Sequence, residues 1–310
     1  MFILLIAFIF TGCVTTTTLH MKAPEIIHLP DGRRLAVYHY GDPKGRPLLF
    51  FHGWPSDGSQ GELLDASAKT HGFHVFSPDR PGIGLSEPLA NRTIADWPAD
   101  VRSLAANYHL KRFTVLGVSG GGPYALATAH ALPAMATRVG VVCGAPPLDN
   151  TRDMHNLLPI YKHLLRAYRT QPRLLRWAFR IGRPLLSHVV PDCFLRATIH
   201  KLPLPDRKAL ADQKTFNVIF GGMRRSWVSC CDGVHDDAIL YAQPWNFAVE
   251  HIRVRVDFWH GDEDANFPHD LAERVAARVP GANFHLIQEE GHFSLPVSRI
   301  DEIFSTLAKQ

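Results

Sequence analysis

The sequence predicts an α/β protein with a mostly parallel central sheet, helices on both faces, and a helical cap inserted between its later strands. Three observations predict it. Short apolar, β-branched runs alternate with segments of helical period through the first 145 residues, the rhythm of strands joined by crossover helices. A glycine-rich stretch, Gly117-Val-Ser119-Gly-Gly121, separates one such run from an Ala-rich helical segment. The strand rhythm then stops at Pro146-Pro147 and does not resume until Ile252.

The elements follow in order. Residues 25–29 and 34–40 alternate around Pro30-Asp31-Gly32 and predict a hairpin. A strand over 48–51, a helix over 62–69 and a strand over 73–77 come next. Thr93 can cap a helix that runs to about Tyr108, with Asp96 in its first turn. Residues 113–118 form an uninterrupted apolar run, as expected of a strand buried on both faces, and 121–132 a helix. Further strands are predicted over 138–143, 254–260 and 283–287.

The division expected is a core of residues 21–145 and 246–310 with a cap over 146–245. Within the cap no strand alternates. Arg166, Arg169, Arg173, Arg176, Arg180 and Arg183 recur at spacings of three and four, with Leu164, Leu165, Leu174, Leu175, Trp177 and Phe179 between them. That is amphipathic helix, broken at Gln171-Pro172. Two readings of the arginine stripe stand: a solvated face, or a surface for anionic lipid or acidic substrate.

The glycine-rich stretch carries chemistry. On a sharp strand-to-helix turn Ser119 would expose its hydroxyl, with glycines where a Cβ would clash and a helix N-terminus behind to favour negative charge. A serine needs a base and an orienting acid. Two polar turns after predicted strands supply them: Gly261-Asp262-Glu263-Asp264, and Glu290-Gly291-His292. The resulting order is Ser119, Asp264, His292, each just past a strand end, where open α/β sheets place their sites. Asp262 and Glu263 compete for the acid role as neighbours. Gly120 follows the serine and would supply one backbone donor to an oxyanion; the second would come from the loop after the strand 48–51.

These residues resemble the α/β-hydrolase superfamily, from about Glu25 to the C-terminus. Beyond the elbow the likeness rests on His52-Gly53-Trp54-Pro55, on Ser77-Pro-Asp79-Arg80-Pro-Gly-Ile-Gly84, and on Gly261-x-x-Asp264 with Pro268 and Gly291-His292 downstream. The wording Gly-Val-Ser119-Gly-Gly-Gly, with Pro244-Trp245 later, is similar to a large uncharacterised branch. The resemblance implies an α/β-hydrolase fold with Ser119 as nucleophile, His292 as base and Asp264 as acid. It implies Trp54 N–H as the second oxyanion donor, His52 and Gly53 as the supporting loop, and Asp79-Arg80 as scaffolding. The activity implied is cofactor-independent hydrolysis of a carboxylic ester or related acyl compound. Carbon–carbon bond hydrolysis, thioester or peptide cleavage, or ligand binding with little turnover are the alternatives on the same residues.

Composition narrows the rest. A net charge of +4 without a basic tail, aromatic RNA motif or zinc spacing argues against nucleic acid as partner and leaves a small acyl substrate. Five cysteines without regular spacing, two of them the adjacent Cys230 and Cys231, make no disulfide framework. His260, Asp262, Asp264, His269 and Asp270 cluster in sequence but lack metal-ligand spacing, so no metal is expected. No phosphate loop or dinucleotide fingerprint accompanies them.

The N-terminal segment, 1–20, has three readings. Translation can begin at Met21, giving a cytoplasmic protein. Phe10-Thr-Gly12-Cys13 can be a lipoprotein box, giving a cell-envelope protein lipidated at Cys13 and thereby membrane-associated. The apolar run before it can be an uncleaved anchor, although nine apolar residues are too few to span a bilayer as a helix. No Lys or Arg precedes that run, as a signal peptide would require.

Overall fold

The computed structural model describes residues 22–148, 157–184, 190–228 and 232–309. Cys13, Met21, Cys230 and Cys231, with the readings placed on them, lie outside the described residues. Eight strands form one sheet in the order β1-β2-β4-β3-β5-β6-β7-β8. They are β1 Glu25–His28, β2 Arg34–Gly41, β3 Arg46–Phe51, β4 Phe73–Pro78, β5 Phe113–Val118, β6 Ala136–Val142, β7 Val256–Gly261 and β8 Asn283–Ile287. β1 and β2 pair antiparallel, as does β2 with β4; every other pairing is parallel.

The core helices are α1 Asp65–Thr70, α2 Trp97–Asn107 and α3 Gly122–Ala131. The helices between β6 and β7 are α4 Pro159–Thr170, α5 Pro172–Pro184, α6 Asp192–Ile199, α7 Leu204–Ala211, α8 Gln213–Arg225 and α9 Asp232–Tyr241. α10 His269–Arg278, α11 Leu295–Ser298 and α12 Ile300–Ala308 complete the chain.

Strand alternation sets the two layers. On one face Leu49 and Phe51 pack with Trp97 and Val101 of α2, Tyr124 and Ala125 of α3, and Leu271 and Val275 of α10. On the other, Leu48 and Phe50 pack with Ala68 of α1 and Ile303, Phe304 and Leu307 of α12. Central β5 and β7 are buried at every position, because both faces are covered, whereas the edge strand β1 buries only Ile27.

Several boundaries differ from the sequence expectation, each for a local reason. The helix expected over 62–69 is split into a 3-10 turn, Gly58–Leu64, and the short α1. Gly58 and Gly61 are pressed against the strands: a Cβ at Gly58 would lie 2.4 Å from Ser77 O, and one at Gly61 2.8 Å from the Tyr40 ring. The segment capped by Thr93 likewise opens as a 3-10 turn, Ile94–Asp96, before α2; Thr93 N–H donates to Asp96 Oδ2 at 2.7 Å, a capping box. β7 begins at Val256 rather than 254.

Part of the arginine stripe on α5 is tied down within the protein. Arg176 lies 3.5 Å from Asp232 and Arg180 3.2 Å from it, while Arg183 Nε donates to Trp227 O at 2.9 Å. Leu174 and Trp177 on the same helix are exposed. No helix among the described residues is long and apolar enough to cross a membrane.

Candidate active site

β5 ends at Val118, and the chain turns through Ser119–Gly121 into α3. Ser119 sits at φ +53°, a left-handed conformation that costs a side-chain-bearing residue about 1–3 kcal/mol. The turn is this tight because glycines flank it. A Cβ at Gly121 would lie 2.0 Å from Phe51 O, and one at Gly117 would lie 2.5 Å from Gly121 O. The strained turn lifts the Ser119 hydroxyl off the strand end.

His292 reaches it from the turn after β8. Its Nε2 is 2.9 Å from Ser119 Oγ, and its Nδ1 is 2.8 Å from Asp264 Oδ2. A carboxylate against Nδ1 fixes the proton there, so Nε2 faces the hydroxyl as an acceptor. All three side chains are buried. Burial alone would disfavour the imidazolium, but the Asp264 carboxylate outweighs it and holds the His292 pKa above the ordinary histidine value.

Asp264 is fully engaged. Its Oδ1 accepts from Asn266 N–H at 2.8 Å and Phe267 N–H at 2.9 Å. Its Oδ2 also lies 3.2 Å from His260 Nε2, which must carry its proton because Phe267 O lies 2.9 Å away on the same nitrogen. Burial pushes the Asp264 carboxyl up, yet the two histidines, His292 first, pull it well below the usual carboxylate range. The neighbours Asp262 and Glu263 stay outside: Asp262 is half-buried and Glu263 exposed.

Loop 52–55 lies against the elbow, since a Cβ at Gly120 would be 2.9 Å from Trp54 Cβ and one at Gly53 would be 3.4 Å from Ser119 Cβ. Gly53 N–H is taken up by Gln60 Oε1 at 2.6 Å, and Pro55 has no N–H. Trp54, between them, brings a backbone N–H to this side of the elbow. Gly120, at the start of the turn, has no carbonyl four residues back to accept its N–H within the helix.

Arg80 holds that loop, and Asp79 the turn that follows it. Asp79 Oδ1 accepts from Gly58 N–H at 2.6 Å and Oδ2 from Leu85 N–H at 3.0 Å. Arg80 donates to the carbonyls of His52 and Gly53, the latter at 2.9 Å. His52 is fully buried, with Nδ1 2.9 Å from Gly53 O and Nε2 accepting from Arg80 N–H at 3.3 Å. Burial and the Arg80 charge push its pKa well below the ordinary value, leaving it neutral.

Residues without a sequence signal also enter. Asp237 of α9 pairs with Arg80 at 2.8 Å and Arg92 at 2.6 Å, both buried. Tyr241 of α9 donates to Gly120 O at 3.0 Å, and Trp54 Nε1 donates to Val234 O at 2.8 Å. Asp206 of α7 accepts three amides of the His292 turn. Cys143, at φ +47° after β6, lies beneath His292 and Asp264. Among the described residues the grouped candidate metal ligands are Cys143, Asp264 and His292, within 4.8 Å of one another; His269 and Asp270 are not among them. In that group Asp264 and His292 already bond each other.

Above Ser119, Gly120 and Trp54 a pocket opens between the sheet and the inserted helices. Its wall is apolar: Leu148, Leu164, Leu165, Leu175, Ile239 and Phe267 line it.

This fold, an elbow serine and a buried His–Asp pair define the chain's class. The chain belongs to the alpha/beta hydrolase family, whose model matches residues 48–305. It is 30% identical over 120 residues to a non-heme chloroperoxidase from Streptomyces lividans, an alignment covering 38% of this chain and 44% of that protein. The chain thus spans less than half the length of that curated relative. It is 26% identical to the 2-succinyl-6-hydroxy-2,4-cyclohexadiene-1-carboxylate synthase of Salmonella agona, covering 81% of this chain and 88% of that one. An esterase from Exiguobacterium antarcticum superposes with a TM-score of 0.63 at 19% identity, over 92% of this chain and 97% of that one, a likeness of fold.

Proposed function

We propose that the protein is a serine hydrolase that cleaves a carboxylic ester or related acyl compound through an acyl-enzyme on Ser119. One observation carries this reading: the hydrogen-bonded chain Ser119–His292–Asp264 ends at the floor of an apolar pocket. In this mechanism His292 Nε2 takes the Ser119 proton as Oγ attacks the acyl carbon. Asp264 holds the Nδ1 tautomer and stabilises the imidazolium. The N–H groups of Gly120 and Trp54 receive the oxyanion, an interaction that strengthens as charge develops. His292 then protonates the leaving group, and water, activated by the same imidazole, releases the acid.

The apolar wall favours an uncharged acyl chain or alcohol over an acidic substrate. Thioester, peptide and carbon–carbon bond cleavage use the same steps with other leaving groups, and binding with little turnover uses the pocket alone.

A fluorophosphonate probe tests the reading. Covalent labelling that maps to Ser119 and is lost in Ser119→Ala is expected; an intact, folded protein that does not label would favour binding without turnover. Aryl esters of increasing acyl length, set beside thioesters and amides, then separate the substrate classes.

A further inference from the structure

Asp206 stands in the first turn of α7, within the helices inserted between β6 and β7, and is 1% exposed. Its carboxylate collects three consecutive amides of the turn that bears His292. Oδ2 accepts from His292 N–H at 3.2 Å, and Oδ1 accepts from Phe293 N–H at 2.8 Å and Ser294 N–H at 2.9 Å. Gly291, just before, closes over the same carboxylate: a Cβ there would fall 2.3 Å from Asp206 Oδ1. Gly291 N–H meanwhile donates to Ser294 Oγ at 2.8 Å, so the turn is folded around the anion.

A carboxylate removed from water loses several kcal/mol of solvation unless fixed donors replace it. Here the replacement consists of main-chain N–H groups belonging to the histidine turn, supplied to a side chain from a separate part of the fold. We propose that Asp206 is a positioning residue for His292. Through it the inserted helices fix the backbone and the charge balance of the base, and the site is complete only while α7 is seated on the turn. This rests on the reading of His292 as base.

The His292–Asp264 pair lies among a small set of titratable groups: His260 of β7, which touches Asp264, Cys143 after β6, Tyr161 of α4, which faces the Asp264 charge, and Asp206 from α7. Both carboxylates favour the imidazolium, Asp264 more strongly. Burial pushes the Asp206 carboxyl up, and the amides and His292 pull it back.

Asp206→Asn keeps the volume but removes the charge and turns an amide N–H₂ toward N–H donors. The expected result is a fall in kcat of about tenfold with KM little changed, and a His292 titration, read by imidazole NMR, moved to lower pH by about half a unit. The acid limb of kcat/KM should move with it. Gly291→Ala, which pushes on the carboxylate while keeping it, should lower kcat in the same way, and it decides the matter should Asp206→Asn not fold. A folded Asp206→Asn with wild-type kcat and wild-type His292 titration, even with a lowered Tm, would overturn the inference. The NMR titration needs no turnover. A wild-type protein that fails to label at Ser119 but still shows the Asp206-dependent His292 shift would sink the hydrolase reading and leave the role of Asp206 standing.

Discussion

Arg80 Nε donates to Asp237 Oδ2 across 2.8 Å, and neither side chain has any solvent exposure. The pair joins a helix inserted after β6 to the loop beside Ser119, because the other arms of Arg80 hold the carbonyls of His52 and Gly53. Asp237 also pairs with Arg92 and accepts from Tyr124 Oη at 2.7 Å.

Removing one partner of a buried pair leaves the other charge without compensation. Asp237→Ala should therefore destabilise the protein by about 3–5 kcal/mol, and any folded fraction should turn over esters poorly, because the Trp54 amide loses its support. Urea unfolding followed by tryptophan fluorescence measures the first effect. A loss below about 1 kcal/mol would mean that Arg80 and Arg92 find other anions.

If Ser119, His292 and Asp264 act as one unit, Ser119→Ala, His292→Ala and Asp264→Asn should each lower kcat by roughly 10³ to 10⁶, and the double variants should lose little more. Asp262→Asn should be mild. The reverse order between the two aspartates, read from kcat/KM on an aryl ester, would move the acid two residues upstream.

Two neighbouring glycines should behave differently. Gly121→Ala drives a Cβ to within 2.0 Å of a backbone oxygen of β3 and should prevent folding or greatly reduce expression. Gly120→Ala meets side-chain atoms instead, Tyr241 Oη at 2.5 Å and Trp54 Cβ at 2.9 Å, so its clash falls on the loop of Trp54 and on α9 rather than on the sheet. That variant should fold yet lose most turnover, with the loss in kcat. Circular dichroism and probe labelling, measured together, distinguish the two outcomes.

The pH dependence follows from signs. Hydrolysis needs neutral His292, so kcat/KM should rise with pH through a His292 pKa held above the ordinary value, and Asp264→Asn should shift that limb to lower pH. Stability falls in the same direction at the acid end. Burial raises the Asp237 carboxyl but Arg80 and Arg92 outweigh it, lowering it to about 2 from an ordinary 3.8. Its contribution is therefore present above about pH 4 and lost as pH falls toward 2. Thermal melts from pH 6 to pH 2 should show Tm falling across that window in wild type, and less steeply in Asp237→Asn.

Acyl-length preference should answer to the inserted helices. Ala238 lines the pocket from α9. Ala238→Phe should lower kcat/KM for long-chain aryl esters by tenfold or more relative to acetyl esters, as a filled pocket discriminates by size. An unchanged chain-length profile would place the acyl group elsewhere.

Much of this molecule could be read from sequence because its signals are local. A parallel strand buried on both faces is written as a continuous apolar run, which is why β5 stands over the residues expected of it. The elbow announces itself because only glycine tolerates the contacts around Ser119, and Asp264 and His292 stand in polar turns directly after strands. The helix misread at 62–69 shows the limit. Its own residues suit a helix, but Gly58 and Gly61 pack on Tyr38, Tyr40 and Ser77 from distant strands, and that packing tightens the first turn.

What the sequence alone determined, then, is the alternation of strands and helices, the family, and three residues at strand ends. Tertiary structure alone decided that His260 joins His292 as a second histidine donor on Asp264, that Arg80 and Asp237 meet beneath the loop of Trp54, and that Asp206 receives the amides of the His292 turn. It also decided that part of the α5 arginine stripe pairs with α9 and with main-chain carbonyls while staying partly exposed. The reason is the same in each case. A buried charge has no preferred spacing to its partner along the chain; it selects whatever donors the fold delivers to it, and here the partners of Asp237 precede the inserted segment while those of Asp206 follow it.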